Sequence, residues 1–296
     1  GGHQVIWCEG DRPASSTNTG FGIKANGDTI YLYDQLAHGG SLLDSIGYGV
    51  QAKDFSIGRT PDGSTNWQLT LPTAGSPNIA AQLGNPTVLR INEWMADPAS
   101  GDDWFELCNP SPQPIALGGL YLTDDLSTPL SRTKSRIPPL SFIGIGLYGF
   151  EVFLADDNLA AGPDHVRFKL SGNGEALGLF RSADVPIDAV TFGLQTEGVS
   201  EGRLPDGSAN LVRFPGTPTA NQANYLPLTD VVINEVLSHT DPPLEDAIEL
   251  HNGSAAPVSV GGWYLSDSPR DLFKYRIPDG MAIAAGSYVV FYETNF

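Results

Sequence analysis

The heptapeptide GRTPDGS at residues 58–64 returns as GRLPDGS at residues 202–208. Proline followed by Asp-Gly is a strong turn signal, because proline presets φ and glycine accepts a positive φ. Each copy therefore predicts a tight turn between two strands. The repetition also indicates that one structural unit occurs more than once along the chain.

A second set of motifs marks a different part of this unit. INE occurs at 91–93 and 233–235, ELCN at 106–109 returns as ELHN at 249–252, and GGLYLTD at 118–124 returns as GGWYLSD at 261–267. These motifs form the front of a unit, and the GRxPDGS heptapeptide belongs to its back.

The order of the two motif sets predicts three segments. Only residues from about 86 to 225 contain both sets, so we predict that residues 86–225 form one complete unit. Residues 1–84 are then the back, C-terminal part of a preceding unit, and residues 229–296 are the front, N-terminal part of a following unit. We expect segment 86–225 to fold alone.

Composition predicts an all-β fold. Hydrophobic residues make up 41% of the 296 residues, enough for buried cores, and 34 glycines with 23 prolines imply frequent turns and few long helices. Asn26-Gly27 lies between alternating apolar runs and predicts a type I′ hairpin. Short alternating runs and regular turns are typical of two-sheet sandwiches. The core predicted for the complete unit consists of Ile91, Phe105, Leu107, Leu120, Leu122, Phe153, Phe168, Leu170, Leu177, Val190 and Phe192.

The ordered motifs of the complete unit resemble the lamin tail domain family, whose members have an immunoglobulin-like fold. The residues that carry the resemblance are 91–93, 103–109, 119–124, 152–157, 168–171 and 202–208. The pattern covers the middle segment fully and the flanking segments in part. The fold expected is therefore a series of immunoglobulin-like β-sandwich repeats, one complete unit flanked by two partial units.

The resemblance is to the bacterial branch of this family more than to nuclear lamins, since the chain has no sustained heptads that would form a filament rod. In that branch the domain recurs in secreted or cell-surface proteins, often beside hydrolases. The resemblance implies a non-catalytic structural or protein-interaction module of a larger exported protein, located outside the cell or in the cell envelope.

Charge and cysteine usage exclude several classes of function. The net charge of −18 repels phosphate backbones, so nucleic acid is not an expected partner. No apolar run reaches the 18 residues of a transmembrane segment, and none is predicted. Cys8 and Cys108 lie in different predicted strands and in no metal-binding pair, so we expect two free thiols.

Acidic pairs near predicted loop ends leave two interpretations open. Carboxylate oxygens are the ligands that calcium prefers, so a structural calcium ion between repeats is one interpretation. The other is that adjacent acids are simply solvated, since the sequence contains no EF-hand loop. The candidate calcium ligands are Asp102, Asp103, Asp124, Asp125, Asp156 and Asp157.

No catalytic residue and no cofactor are predicted. The only imaginable acid pair, Glu93 and Glu106, recurs as Glu235 and Glu249, and an enzyme seldom repeats its acid pair along a tandem. The alternative function is a carbohydrate- or other ligand-binding accessory module of an exported hydrolase, with a glycan stacked on Trp94 and Trp104.

Recurring positions and the terminal segments suggest further structural roles. The recurring Arg203 is expected to brace a turn by pairing with a carboxylate, for which Glu106 is the candidate. Val5–Trp7 and Val289–Phe291 both match the strand at 152–154, so the partial units nearly sum to a whole. Two outcomes stay open: head-to-tail self-association between chains, or partial units that fold with strands missing. Self-association within one chain is not expected, because parallel first and last strands would leave the sandwich at opposite poles.

Overall fold

The computed structural model describes residues 2–227, 230–268 and 271–295. Gly1, Thr229 and Phe296, which bound two of the predicted segments, lie outside the described residues. The chain divides into two compact units, Gly1–Leu226 and Pro227–Phe296. The regular elements of the described residues are strands and short 3₁₀ helices, which confirms the all-β class.

Five strands belong to the first part of the first unit. Strands β1 and β2 form an antiparallel hairpin, and β3, β4 and β5 form a three-stranded antiparallel sheet. The Pro-Asp-Gly turn at 61–63 joins β3 to β4, as predicted. The bounds are β1 Asp28–Tyr33, β2 Leu42–Tyr48, β3 Ser56–Arg59, β4 Trp67–Leu71 and β5 Ile79–Ala80, with a 3₁₀ helix at Leu36–His38.

Two predicted strands in this part are wrong. Residues 21–24 are not a strand, and Asn26-Gly27 turns the chain into β1, which pairs with β2 instead. Residues 5–8 form only a single bridge, between Trp7 and Asn18. An equivalent bridge joins Leu154 to His165 in the middle segment. There, however, Leu154 also belongs to a regular strand, which pairs with a second strand. Among residues 2–84 no such neighbour is present.

The middle segment forms two facing sheets. One has the strand order β12-β7-β6-β15-β16 and the other β10-β9-β13-β14, with a short β8-β11 pair. The bounds are β6 Arg90–Met95, β7 Trp104–Cys108, β8 Ile115–Ala116, β9 Tyr121–Thr123, β10 Ser135–Arg136, β11 Phe142–Ile143, β12 Phe150–Leu154, β13 Glu175–Ser182, β14 Val185–Phe192, β15 Val199–Arg203 and β16 Leu211–Pro215, with 3₁₀ helices at Pro86–Val88, Ser131–Thr133 and Gly146–Tyr148.

The core between these sheets confirms the predicted core. All eleven residues predicted to be internal are buried. Phe105 stacks between Phe153 and Phe168, with ring centroids 5.8 and 5.9 Å apart. The immunoglobulin-like sandwich is therefore held by the apolar pattern that the sequence shows on β6, β7 and β13.

Residues 1–84 pack onto this sandwich. Val50 joins its core, and Ala52 and Leu69 bury Phe142 on its outer side. The Phe142 amide donates to the Val50 carbonyl at 2.8 Å, and Gln51 Nε2 donates to the Leu140 carbonyl at 2.6 Å. The predicted division at 84–86 stays a prediction, since both sides of it lie in one compact unit.

The expectation that the sandwich ends leave at opposite poles is wrong. Strand β16 does run parallel to β6, because each is antiparallel to β15. Residues 216–224 then cross back, and Asn224 Nδ2 donates to the carbonyls of Asn92 and Arg203 at 3.2 and 2.9 Å. The chain therefore leaves the sandwich beside its first strand.

Residues 230–268 and 271–295 form seven strands around a smaller core. Sheets with the orders β17-β18-β23, β19-β22 and β20-β21 surround Leu250, Val260, Ile277, Ile283 and Phe291. The bounds are β17 Val231–Leu237, β18 Ala247–Asn252, β19 Val258–Ser259, β20 Tyr264–Leu265, β21 Tyr275–Arg276, β22 Ala282–Ile283 and β23 Tyr288–Tyr292, with a 3₁₀ helix at Glu293–Asn295.

The two cysteines are free, as predicted. Cys108 is buried on β7, and burial raises the pKa of its thiol to about 12. Cys8 lies outside the regular strands, where the sequence had predicted one. No helix within the described ranges is long and apolar enough to cross a membrane.

Candidate functional site

A buried ion pair clamps β6 to the β15–β16 turn. Arg203 Nη2 donates to both carboxylate oxygens of Asp188, at 3.1 and 3.0 Å, and Nη1 donates to the Ser208 carbonyl at 2.5 Å. Arg203 Nε donates to the Ile91 carbonyl at 2.7 Å, and the Ile91 amide donates to Asp188 Oδ2 at 2.8 Å. The pair therefore holds both backbone groups of Ile91. The partner of Arg203 is Asp188 and not Glu106 as predicted, because Asp188 faces it across the sheets.

Asn92 and Glu106 extend this polar network. Asn92 Nδ2 donates to Glu106 Oε1 at 3.1 Å and to Asp206 Oδ1 at 2.9 Å, and Asn92 Oδ1 accepts from the Gly207 amide at 3.0 Å. The Asn221 amide donates to Glu106 Oε2 at 2.6 Å. Burial raises the pKa of Glu106 to about 8, which favours a protonated carboxyl at neutral pH.

Glu93 is anchored by the chain that follows β16. Its carboxylate accepts from Ser200 Oγ at 2.5 Å and from the Thr219 hydroxyl and amide at 2.7 and 3.1 Å. Burial raises the pKa of Glu93 too. Glu93 and Glu106 are both 0% exposed, so neither can contact a substrate. The two carboxyl groups hold β6 in the sandwich. We call the whole network the lock: its front consists of Asn92, Glu93 and Glu106, and its back consists of Asp188, Arg203 and the residues of β15 and the segment after β16 that bond to them.

Half of this lock is repeated in residues 1–84. Arg59 Nη2 donates to both oxygens of Asp44 at 3.0 Å, and Nη1 donates to the Ser64 carbonyl at 2.6 Å. Asn78 Nδ2 donates to the Arg59 carbonyl at 3.0 Å, and its amide donates to Asp62 Oδ1 at 2.9 Å. Asn224 makes the same two contacts with Arg203 and Asp206 in the middle segment.

The other half of the lock is repeated in the second unit. Asn234 Nδ2 donates to Glu249 Oε1 at 2.6 Å, as Asn92 does to Glu106. Here the strand is uncovered: Ile233 is 62% exposed, whereas its counterpart Ile91 is 0% exposed. The back of the lock therefore recurs in the first terminal segment and its front in the second.

Comparison with known families matches the Lamin Tail Domain to residues 227–296. This part of the chain belongs to the lamin tail domain family. The match covers all seven strands of the second unit and confirms the resemblance inferred from the INE, ELHN and GGWYLSD motifs. Searches of curated proteins and of solved structures find no match. Lamin tail domains are non-catalytic immunoglobulin-like modules.

Outside the matched lamin tail domain, four of the six calcium candidates have protein partners. Asp103 Oδ2 accepts from the Leu170 amide at 3.0 Å, Asp124 accepts from Lys134 Nζ at 2.8 Å, and Asp156 Oδ2 lies 2.8 Å from His165 Nδ1. Asp125 accepts from the Ser127 amide, while Asp102 and Asp157 are exposed. The described residues contain no group of three or more His, Cys, Asp or Glu placed to share a metal ion. Calcium binding stays a prediction.

The prediction that Trp94 stacks on a glycan is wrong. This side chain is 0% exposed and stacks on Phe192, with centroids 5.6 Å apart. Trp104 is only partly exposed on the neighbouring strand. The strand bulge between Ile91 and Glu93 interrupts the alternation on β6, so that Ile91 and Trp94 both face the core.

Several residues of the lock were missed at the sequence level. Ser200 lies on β15, and Thr219, Asn221 and Asn224 lie in the segment after β16. Each of them bonds a residue of β6 or β7 that is more than 100 positions away. Asp188 could have been predicted from the sequence, because Asp44 and Asp188 each lie 15 residues before the arginine with which they pair.

Proposed function

We propose that this chain is a non-catalytic structural and protein-interaction module, a tandem of lamin-tail-like units in a larger exported or cell-surface bacterial protein. Its ranges are a partial unit at 1–84, a complete sandwich at 86–225 and a partial unit at 229–296. The partners are proteins, or further copies of the chain bound through the terminal segments. The lamin tail domain match and the complete burial of Glu93 and Glu106 support this function.

The observation that carries the proposal is an apolar sheet face left open in each terminal segment. Leu32 on β1 is 58% exposed, and Val236 on β17 is 62% exposed. Their counterparts in the sandwich, Leu179 and Trp94, are both 0% exposed. Exposed apolar sheet faces with free edges are typical of surfaces that bind another chain.

Photo-crosslinking tests the interaction function. A photoreactive residue at Leu32 or Val236, in the protein expressed in its native cells, is expected to crosslink to protein. The same residue at Leu130, which is 84% exposed and lies outside these faces, is the matched control. Equal crosslinking at all three positions, or none at the first two, would contradict the proposal. Protease added to intact cells tests the cell-surface location.

The alternative, a carbohydrate-binding accessory module of an exported hydrolase, has less support because Trp94 is buried. A glycan array probed with the chain separates the two functions. Specific glycan binding that is lost in Trp104→Ala would favour the alternative.

A further inference from the structure

We propose that strand β17 of one chain docks on the β1–β2 and β3 surface of a second copy of this chain and completes a sandwich like the middle one. The inference rests on the proposed interaction function and names its partner. The middle segment supplies the template, since it contains both halves of the lock in the assembled state.

The strand orders show what docking would rebuild. The five-stranded sheet β12-β7-β6-β15-β16 has its counterparts in two halves, β23-β18-β17 and β3-β4. The four-stranded sheet β10-β9-β13-β14 likewise has counterparts in β21-β20 and β1-β2. In the described residues, β17 and β3 each have one unpaired edge, and these are the edges that correspond to the paired β6 and β15. Joining β17 to β3 would complete the five-stranded sheet, and pairing β20 with β1 would complete the four-stranded one.

The acceptor surface is already arranged for this strand. Asp44, Arg59 and Asn78 have the geometry of Asp188, Arg203 and Asn224, down to the bidentate contact at 3.0 Å. In the template these groups bind the amide and carbonyl of Ile91 and the carbonyl of Asn92. A docked β17 would present the same groups from Ile233 and Asn234.

The donor strand carries the complementary acidic groups. In the template, Glu93 accepts from Ser200 and Thr219, and Glu106 accepts from the Asn221 amide. The corresponding acids are Glu235 and Glu249. Their acceptor-side partners would be Ser56, Thr73 and the Gly75 amide. Ser56 lies on β3 as Ser200 lies on β15, and Thr73 and Gly75 follow β4 as Thr219 and Asn221 follow β16. Both Gly75 and Asn221 have a positive φ, of 80° and 63°.

The template also fixes the register. Gly202 pairs with Glu93 and Glu201 pairs with Trp94. A Cβ at Gly202 would collide with the Asn92 carbonyl, so the close approach of the two strands requires glycine there. Gly58 occupies the matching place on β3. Docking therefore pairs Gly58 with Glu235 and Ile57 with Val236.

The partner is a second copy because the two complementary surfaces occur on the same chain. Each chain carries the acceptor surface on β1–β3 and the donor strand β17, so a further copy supplies what either surface lacks.

Such a contact joins different surfaces of the two copies, so it propagates from chain to chain into an open filament or closes into a ring. A chain with a blocked donor strand, mixed with a chain with a blocked acceptor surface, should therefore form a dimer and no larger assembly.

Light scattering over a wide concentration range measures the association of the 296-residue chain. The wild-type mass is expected to rise with concentration. Ile233→Arg places a charge in the docking face and is expected to abolish the rise, as is Leu32→Arg on the acceptor. Both side chains are exposed in the monomer, so neither change disturbs a core. Val232→Arg is the matched control, because its counterpart in the template is Arg90, and it should associate like the wild type.

The mixture of the two defective chains decides the case. Ile233→Arg chains keep a working acceptor and Leu32→Arg chains keep a working donor, so together they should form a dimer and nothing larger. A wild-type chain that stays monomeric at every concentration overturns the proposal, including the case in which Leu32 and Ile233 are both protected from labelling by closure within one chain. Association unchanged by Ile233→Arg also overturns it. The crosslinking test above can still identify another protein partner, so the two proposals fail separately.

Discussion

Leu107 lies at the centre of the middle sandwich. It is on β7, between β6 and β12, and is 0% exposed. Leu107→Ala removes buried methyl groups and leaves a cavity, so the free energy of unfolding should fall by about 2–5 kcal/mol. Urea denaturation measures the loss. Leu147→Ala, at a leucine that is 63% exposed, should change the same quantity by less than about 0.5 kcal/mol. Equal effects at the two positions would show that the β7 face is assigned wrongly.

Glu106 makes the stability of the sandwich depend on pH. Its pKa is raised from 4.5 to about 8 in the folded chain, so the native state binds more protons than the unfolded state between these values. Stability from this group is fully present below pH 4.5 and is lost as the pH rises towards 8.

The variant Glu106→Gln tests this dependence. Glutamine does not titrate, so the fall in unfolding free energy between pH 5 and 8 should be smaller than in the wild type. The slope is the quantity to compare, because the glutamine NH₂ would also face the Asn221 amide and lower stability at every pH. Glu249→Gln, at the half-buried counterpart in the second unit, should leave the slope of the first unit unchanged. An identical slope in Glu106→Gln and wild type would contradict the prediction.

At the scale of the turn between β15 and β16, Arg203 connects three elements. It contacts Asp188 on β14, the carbonyl of Ile91 on β6 and the turn carbonyl of Ser208. Arg203→Ala leaves the carboxylate of Asp188 buried without its partner, and the unfolding free energy should fall by about 3–5 kcal/mol.

Arg59→Ala is the control for Arg203→Ala. Its partner Asp44 has a side chain that is 52% exposed, so this pair is open to solvent and its loss should cost at most about 1 kcal/mol. Urea denaturation of dilute protein compares the two variants. Similar losses of unfolding free energy in the two variants would contradict the prediction that burial of the ion pair determines its contribution to stability.

Local signals in the sequence predicted some elements of this chain and not others. The Pro-Asp-Gly turns and the alternating strands β6, β7 and β13 were predictable, because the residues that define them are adjacent. Residues 5–8 were not, because a strand persists only beside a partner, and their one bridge is all that remains without it. Only part of the lock could be predicted. Arg203 recurs in the sequence, whereas its partners lie on other strands and loops that the tertiary fold brings together.

At the scale of the whole chain, repetition was the most informative signal. Comparing the motifs predicted two incomplete segments, and the strand orders show corresponding half-sheets in each. What repetition could not predict was the path after β16, which returns to β6 through Asn224 and places the two ends of the sandwich side by side. That path depends on hydrogen bonds from a loop, which carries no periodic pattern.

The return of the chain to β6 also defines how the middle sandwich could be isolated. A fragment of residues 85–226 keeps both sheets, the Asn224 contacts, and Asn85, whose side chain accepts from the Thr87 amide at the 3₁₀ helix Pro86–Val88. All but one of the buried residues of the main core lie within it, the exception being Val50. We therefore expect the fragment to fold alone and to give a well-dispersed amide NMR spectrum.

The fragment should nevertheless be less stable than residues 1–226. Removing residues 1–84 uncovers Phe142, which is buried against Ala52 and Leu69, and also removes Val50 from the core. Exposing one large apolar side chain costs about 1.5–3 kcal/mol, so the unfolding free energy should fall by at least that amount. A fragment that unfolds completely would show that residues 1–84 are part of the folding unit and not a neighbour packed against it.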